Sequence, residues 1–461
     1  MKKSLLHVMI ANIFYMIVVA GTNFILPKFT TVEIYASIKE YTLYITTYVD
    51  IITLGYAYGM YLKYGGKKIE SITSCEMGKN IFTYFIFMLP ISTVTSVIGV
   101  LLEKPIIIIL GAGFMASNIL TYFQMLYQAT GEFKAYGVAL SISQAIILLE
   151  YIVLIFVFQV SNQFIYVVVT PITGLIVSGY LAYKLNKRIR FISKIKFSLK
   201  ELAENIKSGI VLMLGEFVTQ LFTNIDRWFV KIFMATFNFA IYSFAVSLEN
   251  IIKTLMRPIA VSMYNYFCKE SDCERVRKIK EATLIYSFMI IALAFPIKWI
   301  VEYFIQEYMD AVAVIFPLFA AQGVSTIIKG IYVNIYKAEG KQKKYLTQML
   351  TMLATATVLN AILFYAFRSA IAIAIATMIT NIVWLIICEV ENSNTRYGWN
   401  AICSAALLLI IYLYAGYYLD AIVGCVVYCI AGITVGLAFM RESFMYVLKS
   451  VLEMTFKKRK I

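Results

Sequence analysis

The stretch YQATGEFKAY, Tyr127 to Tyr136, returns as YKAEGKQKKY, Tyr336 to Tyr345. Five positions coincide: Tyr127/Tyr336, Ala129/Ala338, Gly131/Gly340, Lys134/Lys343 and Tyr136/Tyr345. Both copies are short, polar, glycine-bearing turns between long apolar segments. A repeat of this kind sets the architecture before any local assignment does. A second pair keeps a similar register, Pro90 in FMLPI and Pro296 in AFPI, each inside an apolar segment. The chain therefore reads as two tandem halves with an appended tail.

The composition is 61% hydrophobic and 15% charged, with a mean hydropathy of +0.79. Soluble chains are nearer half apolar and about a quarter charged. Fourteen segments have the length and apolarity of membrane-spanning helices: 5–27, 39–62, 80–102, 106–127, 137–159, 164–184, 208–229, 238–262, 282–304, 311–336, 346–367, 369–388, 401–418 and 420–439. The expected fold is all-α and polytopic, with two parallel-repeat six-helix lobes around a central cavity and two peripheral helices. In domain terms, 1–184 is the first lobe, 185–207 a basic linker and 208–388 the second lobe. Helices thirteen and fourteen occupy 389–440, and 441–461 is a basic tail. An even number of spans per half relates the two lobes by an axis along the membrane normal.

The net charge of +15 bears on loop placement rather than on nucleic acid, which is not an expected partner. Placing the N-terminus inside puts both repeated turns, the linker, the tail and most Lys and Arg on the cytoplasmic side. No cleavable signal is apparent, and the first helix reads as a signal anchor. Seven Cys without a CxxC pair and a single His, His7, indicate neither a metal site nor a disulfide framework. No Walker-type phosphate loop and no catalytic triad can be assembled. The chain reads as a non-enzyme without a cofactor, with H⁺ or Na⁺ as candidate coupling ions.

Polar residues inside the spans need a reason, because a charge at the bilayer centre costs roughly 2.5–3.5 kcal/mol on insertion scales. Asn12, Tyr15, Thr22 and Asn23 share a face of span one, and Thr46, Asp50 and Thr53 a face of span two. Span seven carries Glu216, Thr219, Gln220, Thr223, Asn224 and Arg227, with Asp226 beside them. Span eight carries Glu249, Lys253 and Arg257 at four-residue spacing, and Lys329 lies in span ten. Such spacing sets each group on one helical face. These are the first two helices of each half, and their polar faces are expected to line a cavity. Plainer readings stand beside this one. Glu249 and Lys253 can neutralise one another at i, i+4. Asp226 and Arg227 can reach a neighbouring helix, and Asp50 can be a packing contact. Lys298, four residues before Glu302, can snorkel to the surface. The 34 Tyr are expected mainly at membrane interfaces. In the tail, Phe444, Val447, Leu448, Val451 and Leu452 precede KKRK at 457–460 and suggest either a surface-lying amphipathic helix or a basic anchor.

NFILPKFTTVEIYA at 23–36 and NIDRWFVKIFMATFNFAIYSFA at 224–245 resemble the openings of the two halves of bacterial polysaccharide flippases. The two repeated turns resemble that family's two cytoplasmic turns. Together these motifs cover the first twelve spans. The family sits in a superfamily with the lipid II flippase and the MATE multidrug exporters. The resemblance implies two lobes arranged as a V around a cavity lined by the first two helices of each. Asp226 and Arg227 match the family's Asp-Arg position; the other cavity residues come from spacing alone. It also implies a lipid-linked oligosaccharide as substrate, moved by alternating access in a bacterial or archaeal cell membrane, with both termini cytoplasmic. Polysaccharide polymerase and glycosyltransferases would be working partners. The absence of arginine from the first two spans counts against lipid II as substrate. A multidrug exporter of the same fold would want a more acidic cavity. A membrane glycosyltransferase or sugar polymerase would need a catalytic outer loop that the sequence lacks.

Overall fold

Among the described residues each of the fourteen predicted spans falls on helix, three of them on interrupted helix. The computed structural model describes residues 2–268 and 272–447; the side chains of residues 2–13, 254–262 and scattered positions in 133–140, 264–265 and 342 lie outside that description. The first half comprises α1 (Lys2–Phe29), α2 (Val32–Ile52), α3 (Tyr56–Tyr64), α4 (Ser74–Leu101), α5 (Pro105–Ala129), α6 (Phe133–Phe156) and α7 (Gln163–Ile189). The long α8 (Leu199–Phe233) follows, then α9 (Thr236–Phe267), α10 (Cys273–Ile291), α11 (Ala294–Phe304), α12 (Ala311–Ile327), α13 (Val333–Ala338), α14 (Gln342–Phe367) and α15 (Ala370–Glu391). α16 (Trp399–Tyr418) and α17 (Ala421–Phe439) close the set. Among the described residues, ten helical stretches are long and apolar enough to cross a membrane. A helix is the natural element here because all of its backbone hydrogen bonds close within the segment.

The repeated turns adopt one conformation. Gly131 and Gly340 both take positive φ, 74° and 70°. In the first copy the Glu132 N–H donates to Tyr127 O at 2.8 Å and the Gly131 N–H to Gln128 O at 3.2 Å. In the second, Lys341 donates to Tyr336 O at 2.8 Å and Gly340 to Lys337 O at 3.3 Å. This is the paired-bond helix stop that requires a left-handed residue, which glycine supplies without strain. Packing repeats as well. α5 packs on α2, α4 and α7, and its counterpart α12 packs on α9, α10 and α15. Each half is thus built around its fourth span, and α12 is buried along nearly its whole length.

The contacts divide the chain into two compact units, Met1–Asn224 and Ile225–Ile461. The boundary falls inside α8, which the repeat counts as the first helix of the second half. The reason is a close backbone crossing with α3. A Cβ placed on Gly209 would fall 2.0 Å from Gly55 O, and one on Gly59 2.0 Å from Asn205 O. Small residues let helices approach this closely in a membrane. The start of α8 at Leu199 also corrects the expected linker, because 199–207 is helical and only the short stretch after Ile189 connects α7 to α8.

Other boundaries move for identifiable reasons. The second crossing is two helices rather than one, broken where Leu54 and Gly55 both take positive φ, 49° and 84°. Pro296, lacking the N–H a helix needs, follows the break between α10 and α11, whereas α4 runs through Pro90 unbroken. A π-helical turn, Ile328–Tyr332, joins α12 to α13. The tyrosines depart furthest from expectation. Tyr56, Tyr84 and Tyr122 stack in the first unit's core at centroid spacings of 5.0 Å. Their hydroxyls are satisfied there rather than by water: Tyr56 donates to Asn80 O at 2.8 Å, Tyr122 to Asn80 Oδ1 at 2.5 Å and Tyr84 to Asn118 O at 3.3 Å. The tail begins as a helix over 441–447. Its Ser443 donates to Glu281 Oε2 at 2.6 Å, which docks this turn on α10. Leu448, Val451, Leu452 and the KKRK run lie outside the described residues.

The α3–α8 crossing yields a direct check. Gly59→Ala should lower stability by about 1–3 kcal/mol, the usual cost of overpacking, whereas Gly215→Ala, facing open space, should not. Thermal unfolding of the detergent-purified protein reads both.

Candidate functional site

In the first unit the predicted polar residues form local groups. Asn23 is buried, and its Oδ1 accepts from Lys39 Nζ at 3.2 Å, joining α1 to α2. Lys39 also stands 5.0 Å from the Tyr35 ring centre. Asp50 lies four residues before Leu54, where the second crossing breaks. The Tyr58 hydroxyl, on the far side of that break, donates to its Oδ1 at 3.1 Å. Glu216 on α8 accepts from Gln220 Nε2 at 3.0 Å and lies within electrostatic reach of Asp50. Asn224 is buried, and its Nδ2 donates to Thr47 at 3.4 Å. The threonines of the α8 stripe serve their own helix: Thr219 donates to Gly215 O and Thr223 to Thr219 O, each at 2.9 Å. Thr46 and Thr22 do likewise. Asn12 is on α1, with its side chain outside the described residues.

In the second unit Asp226 is buried and accepts twice, from the Tyr242 hydroxyl at 2.8 Å and from the Arg227 N–H at 2.7 Å. It therefore ties α8 to α9. Arg227 itself is half-buried. Glu249 is buried and pairs with Lys253 at 3.1 Å, so the i, i+4 neutralisation holds. Lys329, half-buried in the π-helical turn, is close enough to act on Glu249 electrostatically. Arg257 is on α9, its side chain also undescribed. What these groups offer chemically is a set of cations and carboxylates, suited to holding an anion or a small cation.

Lys298 does not snorkel. It is 7% exposed and donates to Gly416 O at 2.9 Å and Leu419 O at 2.7 Å, with Glu302 at 3.7 Å. A cation at the carbonyl end of α16 satisfies unpaired acceptors and complements the helix dipole. This fixes α16 against α11.

Two polar hubs escaped the sequence reading. In the first unit Glu201, from the segment read as a linker, accepts from Lys63 Nζ at 2.6 Å, Asn80 Nδ2 at 2.5 Å and Asn205 Nδ2 at 3.3 Å. In the second, the Lys280 side chain is fully buried. It donates to Glu389 Oε1 at 2.7 Å and Thr395 O at 2.6 Å. The rings of Tyr397 and Tyr332 lie 4.5 and 4.8 Å from its ammonium. Nearby, Tyr336 of the repeated turn donates to Glu391 at 3.0 Å and accepts from Gln348 at 3.0 Å. Nothing in local spacing announces Lys280–Glu389, whose members are 109 residues apart. Removing one partner of a buried pair costs roughly 3–5 kcal/mol. Lys280→Met should therefore lower the unfolding midpoint sharply, and adding Glu389→Gln should recover much of the loss, as read by thermal melts of the single and double variants.

With the geometry in hand, comparisons place the chain. The family described as polysaccharide biosynthesis protein matches residues 76–270. No curated protein sequence matches significantly. Among solved structures, the lipid II flippase MurJ in an inward closed conformation is similar, with a TM-score of 0.62 at 14% identity, covering 94% of this chain and 99% of that one. An outward-facing multidrug resistance MATE transporter of the MOP superfamily gives 0.51 at 14%, covering 84% and 96%. The Vibrio cholerae MATE transporter VcmN, as a point mutant, gives 0.50 at 13%, covering 84% and 94%. The chain is a polytopic membrane protein that shares its fold with these solved transporters, and over residues 76–270 it matches the polysaccharide biosynthesis family.

Proposed function

We propose that this chain moves an isoprenoid-pyrophosphate-linked oligosaccharide, a unit of capsule, O-antigen or exopolysaccharide, from the inner to the outer leaflet by alternating access. The observation that carries the reading is the polysaccharide-biosynthesis match over residues 76–270 within a fold that a flippase and drug transporters also have. Lys253, Arg257, Arg227 and Lys329 are the cations that would attract the pyrophosphate or acidic sugars. Asn12, Asn23, Gln220 and Asn224 are the amides that would meet sugar hydroxyls. Asp50 and Glu216 would take up H⁺ or Na⁺, Glu249 would hold Lys253 in place, and Asp226 would keep α8 on α9 through Tyr242. An inside-negative potential itself drives an anionic headgroup outward, by about 2.3 kcal/mol per charge per 100 mV. ATP is then unnecessary if no cation travels along. The same reading puts the protein in a bacterial or archaeal cytoplasmic membrane, with both termini inside, working with glycosyltransferases and a polymerase.

A drug-exporting reading rests on the MATE likeness and predicts a different phenotype. Replacing Lys253 and Arg257 by Gln, in a strain that depends on this gene, should reduce surface polysaccharide at least about tenfold, the scale of one lost charged contact. Drug resistance should not change. Unchanged polysaccharide with lowered resistance would favour the exporter.

A further inference from the structure

At one end of the second unit, the turn between α8 and α9 and the turn between α14 and α15 enclose a recess of about 420 Å³. Six residues line it: Phe233, Met234, Asn238, Phe364, Tyr365 and Arg368. Phe364 is 9% exposed and forms the floor, while Phe233 and Tyr365, at 46% and 67%, stand at the rim. The rings support one another: Phe233 lies 5.4 Å from Phe364, and Phe364 5.8 Å from Tyr365 in an edge contact. Arg368 ends α14 in the left-handed region, φ 47°, with its N–H donating to Phe364 O at 2.7 Å. No acidic residue lines the recess, and among the described residues the Arg368 guanidinium has no ion pair or hydrogen bond.

An apolar, ring-lined concavity with a few fixed polar groups is the usual anatomy of a small-ligand site, and such sites span about 300–1,000 Å³. Here the polar groups are one amide and one free guanidinium. Arginine pairs with a carboxylate through two parallel hydrogen bonds. Ring faces match the C–H face of a pyranose, and the Asn238 amide can both donate to and accept from hydroxyls. A phospholipid headgroup would use the arginine but leave the rings without a matching partner. We propose that this recess binds a saccharide bearing a carboxylate, with the sugar ring against Phe233 and Tyr365 and the acid on Arg368. The inference rests on the glycan-substrate reading above. On the orientation given there, α8 and α14 both end on the outer side, so the ligand would be the sugar portion after translocation.

The test uses the full-length protein in phosphatidylcholine nanodiscs with digalacturonate as probe, followed by saturation-transfer NMR and titration. Wild type should show transfer, and the neutral disaccharide maltose should bind more weakly. Arg368→Gln should weaken digalacturonate about tenfold or more, as expected for one lost charge-assisted contact. Tyr365→Ala, a second surface change, should reduce transfer as well. Absent transfer in wild type, or binding unaltered by Arg368→Gln, overturns the proposal. So does displacement of the probe when the nanodisc carries phosphatidylglycerol, which would mark the recess as a headgroup site. Binding needs no transport, so a Lys253→Gln protein that binds the probe but exports no glycan separates the failure of one reading from that of the other.

Discussion

A charge drawn away from water has to be met by a partner, and in both units that partner comes from another part of the chain. Glu201 collects Lys63, Asn80 and Asn205, and so holds α3, α4 and α8 at one end of the first unit. Lys280 does the converse in the second, gathering Glu389, the carbonyl of Thr395 and two tyrosine rings. A buried ion pair is not automatically stabilising, but one left half-made is costly. These hubs therefore fix which helices can be neighbours, while the apolar surface between them supplies general adhesion.

The two halves share a plan without sharing their hubs. Both are built around a fourth span, and both stop that span with the same glycine turn. Yet Tyr127 donates to Leu181 O, whereas Tyr336 enters a network with Glu391, Gln348 and Asn392. The backbone device is the same in both halves, and the polar contacts around it differ. The second crossing, broken at Leu54–Gly55 and clamped by Tyr58 on Asp50, has no counterpart in the unbroken α9.

What the sequence displayed was whatever depends on local pattern. Every predicted apolar run falls on helix among the described residues, and Gly131 and Gly340 marked the helix stops because only a left-handed residue fits there. Helical spacing also foretold the Glu249–Lys253 pair. What it concealed depends on residues distant along the chain. Nothing local marks Lys280, because Glu389 and Tyr397 lie more than a hundred residues on. Lys298 looked free to snorkel because the carbonyls it caps belong to α16. The core tyrosines were misread because their hydroxyl partners, Asn80 and Asn118, sit on other helices. For the candidate site, spacing chose the faces of α1, α2, α8 and α9, but not that the threonines on them would bond to their own helix.

The central claim is vectorial movement of a charged glycolipid. Its most direct measurement places purified protein in liposomes with a fluorescent isoprenoid-pyrophosphate oligosaccharide and follows, by an impermeant glycosidase, how much label crosses between leaflets. The account predicts protein-dependent transfer that accelerates when an imposed potential drives negative charge in the direction of transfer. Transfer no faster than in empty liposomes, at any potential, would contradict it.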